Sequence, residues 1–149
     1  MILLDVSFGI FVLMPEGWIF MICVILTECV VMTRLLLPKW FDKKIYWATT
    51  LSNLISGITG IILSLILNGG WYLVVWFPWV GTNEINLSKK GDLLALSIFY
   101  IITFILSLII ESMTNILFLR KQYPVKKILI STFITNLVSY AIFSFALYL

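Results

Sequence analysis

Apolar residues in this chain come in four long runs, covering 18–37, 46–67, 93–119 and 128–149 and separated by short polar breaks. A helix of about twenty such residues covers the hydrocarbon of a bilayer. The first two runs are joined across residues 38–44, and the last two across a break that holds Arg120, Lys121, Lys126 and Lys127. The pattern predicts an all-α polytopic membrane protein with four transmembrane helices, arranged as two tandem helical hairpins in one membrane domain over 1–149. Within it, residues 18–67 form the first hairpin, 68–92 an outer loop and 93–149 the second hairpin. Residues 1–14 are apolar but short for a span, and Pro15, Glu16 and Gly17 break them. Residues 1–17 are therefore expected to be an interfacial or re-entrant segment.

The two hairpins share a phrase. Glu28, the Lys43–Lys44 pair and Asn53-Leu54-Ile55-Ser56 return as Glu111, Lys126–Lys127 and Asn136-Leu137-Val138-Ser139, all displaced by 83 residues without a gap. A parallel internal repeat of this kind implies a pseudo-twofold axis along the membrane normal.

Composition supports the bilayer as solvent. Hydrophobic residues make up 62% of the chain and charged residues 11%, against roughly 45–50% and 25% in soluble domains. Mean hydropathy is +1.11. The ten basic residues fall in three short clusters, with no basic stripe along a polar face, so nucleic-acid binding is not expected. The hairpin breaks and the residues bordering them hold Arg34, Lys39, Lys43 and Lys44, and Arg120, Lys121, Lys126 and Lys127. The outer loop holds only Lys89 and Lys90, offset by Glu84 and Asp92, and the N-terminal region holds no base. By the positive-inside rule both hairpin loops are cytoplasmic, with the termini and the 68–92 loop outside, in a plasma membrane (bacterial inner membrane).

Few residues carry chemistry. There is no histidine, and Cys23 and Cys29 are six residues apart, about 240° around a helix. A zinc site, a haem site and a His-based triad are excluded, and the cysteines are expected to be packed small hydrophobes. No cofactor, metal or catalytic residue is expected. The notable positions are polar groups inside apolar runs: Glu28, Asn53, Ser56, Glu111, Asn115, Asn136 and Ser139. A Glu facing an Asn across a hairpin accepts its amide hydrogens. The alternatives are a structural clamp, proton or cation handling, or a partner contact. Span two carries small residues four apart (Ala48, Ser52, Ser56, Gly60), as does span four (Ser131, Thr135, Ser139), a spacing that lets helices approach closely. Span three carries a polar stripe, Ser107, Glu111 and Asn115. In the outer loop Trp71, Tyr72, Trp76, Phe77 and Trp79 suit the headgroup layer or a docking surface for another protein. Asn86-Leu87-Ser88 fits a glycosylation sequon.

From Glu28 to Gly60 the chain resembles the core of the FraC-like filament-integrity proteins, small multi-pass proteins of cyanobacterial cell–cell septa. The likeness lies in a glutamate late in an apolar helix, a short basic loop, then Asn-Leu-x-Ser and a glycine. Tyr140 departs from it where the first hairpin has Gly57. The resemblance implies a non-enzymatic role in a membrane assembly at contacts between cells. The sequence thus predicts a subunit or scaffold of a membrane assembly, with lipid, copies of itself or other membrane proteins as partners. The alternative is a small proton- or cation-coupled transporter or channel using Glu28 and Glu111.

Overall fold

The computed structural model describes residues 15–67 and 90–146. These form four helices: α1 (Pro15–Leu36), α2 (Lys43–Leu67), α3 (Lys90–Leu119) and α4 (Val125–Ala146). The 1–14 segment and the aromatic loop residues Trp71, Tyr72, Trp76, Phe77 and Trp79 lie outside the described residues.

Each helix starts a few residues earlier than hydropathy predicts, because polar residues also take part in a first turn. α1 takes in Pro15, Glu16 and Gly17; a proline is tolerated in a first turn, where its missing amide hydrogen has no helical acceptor. α2 begins at Lys43 because Asp42 caps it, its Oδ1 accepting from the Lys44 and Ile45 amides at 3.1 Å each. Lys90 and Asp92, expected in the loop, are helical. At 30 residues, α3 is about 45 Å long.

Every helix packs on two neighbours: α1 on α2 and α4, α3 on α2 and α4. Among the described residues α1 and α3 do not approach at the backbone, nor do α2 and α4, so the helices stand at the corners of a square. The end holding both hairpin connections carries the hydrophobic core: Met32, Leu36, Ile45, Ala48, Leu119 and Ile128, with Tyr123 packed against it. Two pairs in that core, Leu36 with Leu119 and Ile45 with Ile128, are 83 residues apart. Lys127 reaches across to α1 and donates from Nζ to the Leu36 carbonyl at 3.0 Å, a cation on the negative end of a helix. Burial and then the Asp42 carboxylate hold the Tyr123 phenol above its ordinary pKa.

Beyond that end the packing is inside out. Glu28, Thr49, Ser52, Glu111, Asn115, Ser131, Thr132, Thr135, Asn136 and Ser139 are buried, while Ile22, Leu26, Ile58, Ile98, Ile105, Ile109, Met113 and Leu137 are exposed. In water this would expose a very large apolar surface; in hydrocarbon it is the favourable arrangement. Residues Ile101–Leu119 and Val125–Ile142 are long and apolar enough to cross a membrane, and only 22% and 33% of them is buried, unlike core helices of a soluble protein. Three buried hydroxyls are satisfied locally: Thr33, Thr114 and Thr135 each donate to the carbonyl four residues back, at 2.7–2.9 Å.

Two expectations are corrected. Cys23 is exposed on the outer face and only Cys29 is buried, because six residues of helix turn them to different sides. Gly60 does not line a close approach. It is exposed, and a Cβ added there, or at Gly57, would meet nothing within 4 Å. In the second hairpin Tyr140 takes the place of Gly57 and packs edge-on against Phe104, ring centroids 5.0 Å apart.

Candidate functional site

Glu28 and Glu111 sit on α1 and α3, the helices opposed across the diagonal, and are 2% and 3% exposed. Each carboxyl is held first by its own hairpin. Asn53 donates from Nδ2 to Glu28 Oε2 at 2.7 Å, and Asn136 donates from Nδ2 to Glu111 Oε2 at 2.7 Å. The other hydrogen of each amide goes to a carbonyl one turn earlier, Thr49 at 3.0 Å and Thr132 at 3.1 Å. Both asparagines therefore use their two donors in the same way, and an amide with two fixed hydrogens orients the carboxyl it serves.

The second oxygen of each carboxyl ties the hairpins together. Ser139, on α4, donates to Glu28 Oε1 at 2.6 Å. Ser107 donates to Glu111 Oε1 at 2.7 Å and lies 3.0 Å from the Ser56 hydroxyl on α2. A hydroxyl has one hydrogen, so Ser56 is the donor to Ser107. Ser56 and Ser139 occupy matching places in the two hairpins. One reaches its carboxyl directly, the other through Ser107, where the first hairpin has Val24. The Glu28 and Glu111 carboxyls are close neighbours in the bundle centre, near enough for each to bear on the other electrostatically.

One turn nearer the basic end, Asn115 donates to Thr132 Oγ1 at 3.2 Å, joining α3 to α4. Thr135 Oγ1, whose hydrogen goes to the Ser131 carbonyl, lies 3.8 Å from the Met32 sulfur, a contact of α4 with α1. Three buried oxygens have no partner among the described residues: Thr49 Oγ1, Asn115 Oδ1 and Asn136 Oδ1. The centre of the bundle is therefore rich in acceptors, with two carboxyls and two free amide oxygens against a small set of neutral donors. Among the described residues no group of three or more His, Cys, Asp or Glu is placed to hold a metal ion.

Glu28 with Asn53, and Glu111 with Asn136, are thus brought together within their hairpins, and Ser56 and Ser139 join them from the opposite hairpin. Asn115 serves a neighbouring bond instead. Sequence reasoning missed the Ser139–Glu28 bond and the relay through Ser107. The available signal was the 83-residue displacement, which matches Ser56 with Ser139 in the sequence. No protein-family model, curated protein or solved structure matches the chain.

Proposed function

We propose that the chain is a four-span integral membrane protein, built from two parallel copies of one hairpin, that acts without catalysis as a subunit or scaffold of a membrane assembly. The observation that carries this reading is where the polar groups go. Glu28, Asn53, Ser56, Ser107, Glu111, Asn136 and Ser139 bond to one another across all four helices. They are used to fix one bundle geometry, while the outer surface is apolar. Matching core pairs and matching asparagine bonds at one displacement support the repeat and its pseudo-twofold axis. The eight basic residues bordering the hairpin connections support a cytoplasmic location for that end. On the outer face of α2, Gly57 and Gly60 leave a smooth strip where the helix of another subunit can approach closely. The resemblance of residues 28–60 to FraC-like proteins points the same way, to an assembly at contacts between cells. In mild detergent the protein is expected to elute as a complex, with itself or with co-purifying membrane proteins. A strict monomer without partners would overturn the reading.

A second reading, proton or cation handling, is favoured by the closeness of the two carboxyls in the bundle centre. Two neighbouring carboxyls in an apolar surround can hold a proton or a cation, and the Ser107–Ser56 hydroxyl chain leads from Glu111 to half-buried surface. It predicts pH-dependent flux in proteoliposomes that disappears in the Glu28→Gln, Glu111→Gln double variant. Flux unaffected by that change removes the carboxyls from any transport step.

A further inference from the structure

A groove of about 390 Å³ runs down the outside of the bundle between α1 and the start of α4, lined by Leu35, Lys126, Lys127, Ile130, Ser131 and Ile134. We infer that it binds an anionic phospholipid, with the phosphate at Lys126 and Lys127 and one acyl chain along Leu35, Ile130 and Ile134.

The geometry follows from helix periodicity. Lys127, Ile130, Ser131 and Ile134 are spaced three, four and seven residues apart, so they form one stripe down α4. The stripe is charged at the end of the bundle and becomes apolar toward its middle, the polarity profile of a phospholipid from headgroup to chain. The lining is overwhelmingly apolar, which suits a hydrocarbon chain and does not suit a soluble anion. Lys127 is positioned by its bond to the Leu36 carbonyl at 3.0 Å. An ammonium has three hydrogens, so two remain for phosphate oxygens. Lys126 is exposed beside it. The wider end of the bundle is also positive. Arg34, Lys39, Lys43, Lys44, Arg120 and Lys121 border the two connections, and the one acid there, Asp42, is engaged with the α2 amides. Clusters of basic residues next to membrane-spanning helices attract anionic lipids.

This inference rests on the membrane reading above. The test uses full-length protein extracted from membranes into neutral detergent, following its thermal unfolding midpoint during titration with phosphatidylglycerol, phosphatidylcholine or inorganic phosphate. Phosphatidylglycerol is expected to raise the midpoint, and the other two are not. Lys126→Gln should weaken the apparent affinity about fivefold. Ile130→Trp, which fills the groove from a half-exposed position and leaves every lysine in place, should abolish the gain. The Lys43→Gln, Lys44→Gln double variant, at the same end but outside the groove, should keep it. An equal loss in that double variant would show diffuse attraction in place of a site, and an equal gain from inorganic phosphate would show an anion site without a lipid; either overturns the inference. Recovery of the protein from the soluble fraction would overturn both this and the membrane reading. Membrane-extracted protein indifferent to phosphatidylglycerol would overturn this inference alone.

Discussion

Replacing Glu111 by alanine is expected to lower the unfolding free energy in mixed micelles by about 2–3 kcal/mol, and replacing it by glutamine to change it by less than about 1 kcal/mol. Alanine removes the acceptor of two donors, the buried Asn136 Nδ2 and the half-buried Ser107 Oγ. Each stranded donor costs about 1–3 kcal/mol. The lower part of that range applies here, because the other Asn136 hydrogen keeps its bond to Thr132 and Ser107 can turn to Ser56. A cavity at a buried position adds to the loss. Glutamine keeps the shape. Its carbonyl accepts from Asn136 and its amide donates to Ser107, which then donates to Ser56. The hydroxyl chain reverses direction and no partner is lost. Reversible unfolding in mixed detergent measures both variants. If alanine is tolerated as well as glutamine, the network contributes nothing to stability.

The second large effect concerns the outer face. Ile105 lies in the middle of α3 and is 47% exposed. A lysine at the centre of a membrane-spanning helix costs about 2.5–3.5 kcal/mol in insertion. At about 1.4 kcal/mol per tenfold, that is roughly a hundredfold shift against insertion of α3. On the surface of a soluble protein the same change falls within about 0.5 kcal/mol and improves solubility. Ile105→Lys should therefore deplete the protein from the membrane fraction, while Gln122→Lys, in the exposed second connection, should leave it there. Recovery of the Ile105→Lys variant as a folded, soluble protein would contradict a lipid-facing surface.

How much of this was legible beforehand differs from residue to residue. Hydropathy located the four helices, because a run of apolar residues between charged breaks admits little else. It placed their starts late at Pro15, Lys43 and Lys90, since a first turn is set by capping and backbone geometry, as with Asp42, and not by apolarity. The Glu–Asn pairs were readable because each joins neighbouring helices of one hairpin at a fixed separation of 25 residues. The Ser139–Glu28 bond spans 111 residues and depends on how the hairpins face each other, which short-range periodicity does not encode. Small residues were ambiguous for a related reason. Ser52 and Ser139 are buried at helix contacts while Gly60 looks outward, and a four-residue spacing fits both. The departure at Tyr140 makes sense only with Phe104 beside it.

The central claim is that the hairpins are joined through their buried carboxyls, and its most direct test is a double-mutant cycle between Glu28 and Ser139. Unfolding free energies are measured for the Glu28→Leu and Ser139→Ala variants and for their combination. The structure predicts a coupling of about 1–2 kcal/mol, in the range of hydrogen bonds to carboxyls and between membrane helices. Effects that add to within about 0.3 kcal/mol would contradict it.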